Sequence, residues 1–443
     1  MAGADNIDAS LWRETWESTT VTFNGQTYSG YKPSGMLSNP DLKWETTISR
    51  NIGLDFGFFN NRLSGTIDAY WNTTKDLLMC IPIDETTGYS YQYQNIGQTS
   101  NKGIEIALNY DILRTKDFTL GVSATYNYNH NNIDELADNI IAQYGSQWAS
   151  SATTPTYDYE FREGKPVGLI RGYICDGYYT TADFNYDPAT KTYTLKPGVA
   201  DLGNQVGNYP SHYNLPEGQK AFPGAVKLRD LDGNGVADTE DVADLGEITH
   251  PHTGGFNLNM TWKDIDFSAG FAWAAGGHVY NVNSLINMYG NKDTGAGANK
   301  LEFISDCYQI YDIQNGELVP VVEPDALDAL NTGAKYGVPY MENGTVLSTF
   351  VEDASFLRLN TLTVGYTFPK AWTKKIGMQR ARVYATAGNL FTITGYSGID
   401  PEVNADPNKS TTAANTGNYP LLGMDYGTYP RARTFTFGVN ITF

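Results

Sequence analysis

Cysteine, charge and long apolar runs are all in short supply. The 443-residue chain holds three cysteines, Cys80, Cys175 and Cys307, with no CxxC spacing. An odd count excludes a fully paired disulfide framework, and scattered thiols are expected, with one disulfide between two of them the alternative. Only 18% of residues are charged, yet 49 acidic against 30 basic side chains leave a formal net charge of −19. So few Lys and Arg argue against nucleic acid as a partner, because phosphate contacts need them. No run of about 18 apolar residues exists, so no transmembrane helix is expected. The longest greasy stretch, residues 77–83, is far too short. The opening residues, Met1-Ala2-Gly3-Ala4-Asp5-Asn6, have no basic region and no apolar core, and do not read as a signal peptide. Ser/His/Asp order, paired-carboxylate context, a phosphate loop and a GxSxG elbow are also missing, which leaves enzyme readings without support.

What is present is β chemistry. The chain carries 31 Tyr and 45 Gly, and such Tyr-, Gly-, Asn- and Thr-rich stretches point to an all-β fold. Residues 433–443 state the pattern most clearly. Phe435, Phe437, Val439, Ile441 and Phe443 are apolar, and Thr434, Thr436, Gly438, Asn440 and Thr442 between them are polar or small. A strand needs this period of two when one face meets something greasy and the other meets water. A terminal Phe with nothing after it looks like the closing strand of an outer-membrane barrel.

The same alternation recurs upstream. It runs from Trp44 to Phe59, from Leu63 to Asn72, from Ile104 to Tyr110, from Phe118 to Asn129, from Phe256 to Trp262, from Ile265 to Trp273, from Leu362 to Phe368 and, more weakly, from Arg380 to Phe391. With the last strand this makes nine candidate spanning strands, near the length of about 9–11 residues that a bilayer requires. Aromatics at their ends (Tyr70, Trp71, Tyr126, Tyr128, Trp262, Tyr366, Phe368) resemble interfacial girdles. Short links near Asn60, at 111–117, at Lys263 and at 369–377 alternate with long ones near 73–101, 131–253, 280–352 and 393–430. Outer-membrane barrels have short periplasmic turns and long extracellular loops. By that rule residues 1–40 are the remnant of an extracellular loop and Phe443 is periplasmic. The apolar piece at 167–179 would break the parity if it spanned, so it is expected as a hairpin strand above the membrane, within 131–253. Single-chain bacterial barrels close with an even strand number, and an open edge in lipid leaves amides without partners. Residues 41–443 are therefore expected to form the carboxyl-terminal portion of an antiparallel transmembrane β-barrel, with no plug domain.

Several ordered blocks resemble one family, the SusC/RagA-type TonB-dependent outer-membrane transporters of Bacteroidetes. They are Asn39-Pro40-Asp41-Leu42-Lys43-Trp44-Glu45, residues 53–63, Asn95-Ile96-Gly97, Asn101-Lys102-Gly103-Ile104-Glu105 and Glu163-Gly164-Lys165-Pro166-Val167-Gly168. Later in the chain come Asp353-Ala354-Ser355-Phe356-Leu357-Arg358-Leu359, Gly388-Asn389-Leu390-Phe391, residues 397–402 and Tyr429-Pro430-Arg431. The resemblance covers residues 39–443. It implies a barrel of about 22 strands around a plug, and it implies uptake of glycans or peptides under a SusD-like surface lipoprotein. Coupling to TonB would run only through the plug region, which these residues do not include.

One segment carries sharp chemistry. Residues 230–241 fit a calcium loop, with oxygen ligands from Asp230, Asp232, Asn234, Asp238 and Asp241, the backbone carbonyl of Val236, and Gly235 at the sharp turn. Ca²⁺ takes six to eight hard oxygens, which this spacing supplies. Position 12 is Asp241 in place of the usual Glu, and no long helices flank the loop, so a structural Ca²⁺ is expected and not a sensor. His250 and His252 are spaced for one strand face but lack a third ligand. Tyr89, Tyr91, Tyr93, Trp148, Tyr157 and Tyr159 are candidates for stacking on sugar rings, or for packing loop on loop. The competing reading of the whole chain is a calcium-stabilised surface adhesin or β-sandwich binding module.

Overall fold

The computed structural model describes residues 9–136, 142–144, 153–154, 158–207, 212–289, 300–341, 344–403, 423–425 and 427–443. Nine long strands form one antiparallel sheet: β1 (Thr46–Phe58), β2 (Leu63–Pro82), β3 (Tyr91–Arg114), β4 (Phe118–Leu136), β5 (His252–Trp262), β6 (Ile265–Ala275), β7 (Phe356–Thr367), β8 (Arg380–Thr394) and β9 (Thr434–Thr442). Each strand pairs with its neighbours in sequence, so the sheet is an uninterrupted meander from β1 to β9. All nine expected strands are present, in the order expected for one wall of an antiparallel barrel.

The register turns the sequence alternation into two chemically distinct faces. Leu54, Ile67, Ile106 and Tyr126 are successive cross-strand partners, as are Met260, Phe267, Val364, Ala385 and Phe437. On the other face lie Asp68, Glu105, Asn127 and Thr253 in one row and Asn259, Ser268, Thr363 and Thr386 in another. Among the described residues no second sheet covers the apolar face. Phe437 is 80% exposed there, and Ile52, Leu54, Val364 and Val439 are exposed too. A bare apolar face of this kind suits contact with lipid, and it does not match the β-sandwich alternative, which buries that face against a partner sheet. The rows from Trp262 to His252 span about 33 Å along the strand, or about 25 Å of bilayer height at a barrel tilt of about 40°. No helix among the described residues is long and apolar enough to cross a membrane, which says nothing about strands.

Two expectations need correction. The long link expected at 73–101 is mostly strand: β2 runs to Pro82 and β3 begins at Tyr91. The two continue past the apolar band as a paired extension, with register shifts between Thr74 and Leu78. Tyr70 is not a girdle residue, because it sits on the polar face and its hydroxyl donates to Asn129 Oδ1 at 2.9 Å. Its place in the period-two pattern, beside Asp68 and Asn72, already carried that information.

The three remaining long segments pack into one body at the end of the sheet opposite the short turns. Its core draws Tyr159, Ile170, Tyr173, Tyr179 and Tyr193 from the β4–β5 segment, Tyr280, Leu285, Tyr308 and Leu347 from the β6–β7 segment, and Met424 from the β8–β9 segment. Tyrosine suits an irregular core built from short pieces, since its ring fills volume and its hydroxyl satisfies a loop carbonyl. Tyr179 donates to Ala200 O at 2.8 Å and Tyr193 to Val322 O at 2.6 Å. The piece at 167–179 lies off the nine-stranded sheet, as expected, and Leu169–Tyr173 is a hairpin strand that pairs antiparallel with Tyr159–Phe161. Leu169–Tyr173 also pairs with Val242–Glu247, and Cys175–Tyr178 pairs with Val226–Leu228. Residues 1–40 contain a hairpin of their own, Trp16–Phe23 with Gln26–Pro33.

Candidate functional site

The blocks that carry the family resemblance are the places where loops are fastened to the wall. Asn95 is the first clamp: its side-chain oxygen accepts from Lys43 N at 2.8 Å and its amide donates to Lys43 O and Asp76 O at 2.9 and 2.7 Å. Glu45 adds a bond from Leu78 N at 3.0 Å. The second clamp joins β4 to the 163–168 block. Gly164 N donates to Ile133 O and Ile133 N to Lys165 O, Val167 N reaches Asn131 Oδ1 at 2.8 Å, and Leu136 N reaches Glu163 Oε1 at 2.6 Å.

The third clamp is ionic. Arg358, on β7 and 1% exposed, donates to Thr392 Oγ1 at 3.0 Å and pairs with Asp400 at 2.6 Å and Glu402 at 2.8 Å. Arg431 completes the group, 3.3 Å from Asp400 and 3.2 Å from Glu402. Asn389 donates to Arg431 O at 3.1 Å. Four blocks spread over 80 residues of sequence thus meet at one point.

Between the clamps, where the polar face of the wall meets the loop body, lies a cavity of about 740 Å³. Tyr70, Asn101, Glu105, Asn127 and Asn129 line it from the strands, and His250, His278, Glu402 and Arg431 line it from the loops. Its wall is a chain of amides. Tyr70 donates to Asn129, and Asn129 and Asn131 both donate to Asn101 Oδ1, at 3.3 and 2.9 Å. Gly103 makes room for this: a Cβ there would lie 2.4 Å from the Tyr70 hydroxyl. Asn127 Oδ1 is buried with no protein partner among the described residues. An acceptor in that state is costly unless something donates to it. Asn101 opens one of the resemblance blocks, Asn127 and Asn129 are marked in the sequence only by their place on the polar face, and Asn131 falls in the expected long link.

The acidic loop folds as a nest of Asx turns. Asp230 accepts from Gly233 N at 2.7 Å and Gly235 N at 2.8 Å, and the amide of Gly235 is the first reason its carboxyl is held below the usual range. Asp241 is fully buried and accepts from Leu231 N and Asp238 N at 2.5 and 2.8 Å. Asp238 accepts from Glu240 N at 2.8 Å and so caps the turn Thr239–Asp241. Oxygens of Asp230, Asp232 and Asp241 lie within 4.8 Å of one another. The Asn234 amide donates to Asp232 and Asp238 at 3.1 and 2.9 Å, so it would have to turn over to present its oxygen to a cation. The Val236 backbone is held in place by Asp201, which bonds Gly235 O and Ala237 N on either side.

The remaining candidates separate. His250 bonds Ala354 O at 3.2 Å and faces the cavity, whereas His252 bonds the Tyr126 hydroxyl at 2.9 Å. They do not converge. Tyr159 is core, and Tyr91 and Tyr93 belong to β3. Tyr89, half-buried, bonds Glu14, while Trp148 and Tyr157 lie outside the described residues. Cys175 and Cys307 are free thiols.

A meander wall with one lipid face, one amide-lined inner face and loops fastened across one end defines an outer-membrane barrel of the receptor class. Residues 13–281 match the family described as TonB dependent receptor-like, beta-barrel, and the chain belongs to that family. It is 31% identical over 407 residues to TonB-dependent receptor P3 of Formosa agariphila, covering 92% of this chain and 35% of that protein. It is 29% identical over 429 residues to TonB-dependent receptor SusC of Bacteroides thetaiotaomicron, covering 96% of this chain and 34% of that one. The chain therefore spans about a third of the length of these curated relatives. The structure of the RagAB peptide transporter superposes with a TM-score of 0.66 at 24% identity, over 100% of this chain and 40% of that one, which shows the shared fold. The SusC/RagA resemblance read from the sequence blocks holds, and the family is one of outer-membrane receptors, not enzymes.

Proposed function

We propose that this chain is the carboxyl-terminal wall and loop portion of a TonB-dependent importer that takes up oligosaccharides or peptides. The observation that carries the reading is the cavity beneath the loops. Its lining side chains, Tyr70, Asn101, Glu105, Asn127 and Asn129, offer hydrogen bonds of both senses to a neutral polar cargo. Sugar hydroxyls and peptide groups both answer that chemistry. In the parent protein, Asn101→Leu with Asn127→Leu should lower cargo uptake severalfold at unchanged surface abundance, and unchanged uptake would count against the cavity.

The long loops face outward in this reading, and the short turns and Phe443 face the periplasm. A SusD-like lipoprotein would seat on the loop body. The hairpin Tyr311–Gln314 with Glu317–Pro320 is suited to it, because Ile313 and Leu318 are cross-strand partners and are 72% and 71% exposed. An epitope inserted at Asn315-Gly316 should be labelled on intact cells and one at Lys263-Asp264 should not; the reverse would invert the topology. TonB contact belongs to the plug of the parent.

We also assign a structural Ca²⁺ to Asp230, Asp232, Asn234, Asp238, Asp241 and the Val236 carbonyl, stiffening the loop body. Calorimetric titration of the wild type against Asp230→Ala/Asp232→Ala tests it. Equal heats in the two proteins would remove the site.

A further inference from the structure

We propose that the link between β7 and β8, residues 368–379, together with the groove beside it, holds an anionic phospholipid at the short-turn end of the wall. This rests on the membrane setting of the barrel and not on its cargo. The link carries Lys370, Lys374 and Lys375 with no acidic residue, in a chain whose net charge is −19. All three lysines are exposed. The segment is ordered as a single helical turn, Lys370–Thr373, and a tighter one, Lys374–Ile376, closed by Gly377 at φ 76°. Thr373 anchors it from the buried side, while Trp372 and Ile376 are 60% and 67% exposed. Basic side chains beside an exposed Trp and an exposed aliphatic are the composition of a segment that sits at a charged membrane interface.

The second observation is the groove. On the apolar face, Ile265, Val364, Tyr366, Val383, Phe437 and Val439 enclose about 750 Å³. The cross-strand row Ile265, Tyr366, Val383, Val439 is the last before the link, and Phe368 of the link packs edge-on against Tyr366 with ring centroids 5.3 Å apart. The groove is therefore continuous with the lipid face at one end and meets the basic link at the other. The nearby Asp266 is engaged on the polar face by Arg382, whose Nε donates to it at 2.8 Å. An acyl chain fits the groove, and a headgroup phosphate fits the lysines.

The test uses the complete transporter in detergent, analysed by native mass spectrometry with phosphatidylglycerol, phosphatidylcholine or inorganic phosphate. The wild type should retain phosphatidylglycerol over phosphatidylcholine, and inorganic phosphate should not displace it. Each lysine removed in the series K370Q, K374Q, K375Q should lower that preference roughly five-fold. Equal retention of the two lipids by wild type, or an unchanged preference in the triple variant, overturns the proposal, as does displacement by phosphate alone. Quenching of Trp71 and Trp262 by brominated phosphatidylcholine in vesicles serves as the separate control. Its loss would fault the membrane reading itself, and its persistence with no lipid preference would fault only this site.

Discussion

In the wall the largest apolar side chains point away from the protein, as Phe437, Val439 and Ile52 do, and the polar side chains point toward the interior. In the loop body the order is reversed. Tyr173, Tyr179, Tyr193 and Leu285 are sealed inside, and exposed positions are mostly polar. One chain thus folds under two solvents, and the same residue type takes different work in each. A wall tyrosine such as Tyr126 stacks beside Trp273 and bonds His252 at the loop-side border of the lipid face. A loop tyrosine such as Tyr193 is packed on all sides and gives its hydroxyl to a loop carbonyl. The joint between the two regions has a small apolar cluster, in which Ile133 and Leu136 of β4 meet Phe161 and Val167. Most of its fastening is polar, in the amide clamps and one buried ionic group.

That division can be broken most forcefully at the joint. Arg358→Ala should cost about 3–5 kcal/mol, because it leaves Asp400 buried beside Glu402 with its main counter-ion gone. Denaturant unfolding should show the loop body released while the wall stays paired; an unchanged profile would mean the clamp is dispensable. Next in size, Phe437→Arg on the lipid face should cost about 2–4 kcal/mol in a bilayer, and the same change at the polar-face Thr436 far less. Equal costs would deny the two faces their separate solvents. Tyr193→Phe should cost about 1 kcal/mol in the loop body, the worth of one buried hydrogen bond. Hydrogen exchange would place the loss there and not in the wall.

The smallest effect is a titration. Asp244 meets Arg162 and Lys165, both at 2.9 Å, and Arg171. Burial alone would raise its pKa, but the bonds from Lys165 and Arg171 and the charge of Arg162 outweigh that and hold it below the usual carboxyl range. A depressed folded pKa contributes stability above the unfolded value of about 3.9 and loses it as pH falls through the folded value. Acidification below about pH 4 should therefore loosen β-pairing of Leu169–Tyr173 with Val242–Glu247 before the wall responds, and Asp244→Asn should abolish that step.

The wall was legible in the sequence because lipid on one side and water on the other impose a strict period of two. Legibility stops where the lipid stops. Beyond Thr74, β2 continues through Leu77, Leu78 and Met79 with register shifts, and the alternation that marks a strand is gone although the pairing with β3 is not. The loop body left no period at all, since its strands are two to six residues long and pair across gaps as wide as that between Tyr173 and Val242. Of the cavity, only the polar face was readable. Its amide ladder depends on which strands lie side by side, as Asn101 between Asn129 and Asn131 illustrates. The ionic clamp was present as separate blocks around Arg358, Asp400 and Arg431, with nothing in their spacing to say that they touch.

The shared core of the loop body has a consequence for exchange between related proteins. Tyr159, Tyr280 and Met424 come from three different interstrand segments and fill one interior. A loop transplanted alone from a relative would arrive without the surfaces it was shaped against. The unit that can be swapped, inherited or re-engineered is the set of three loops together with their fastenings, and variation in one of them is constrained by the other two.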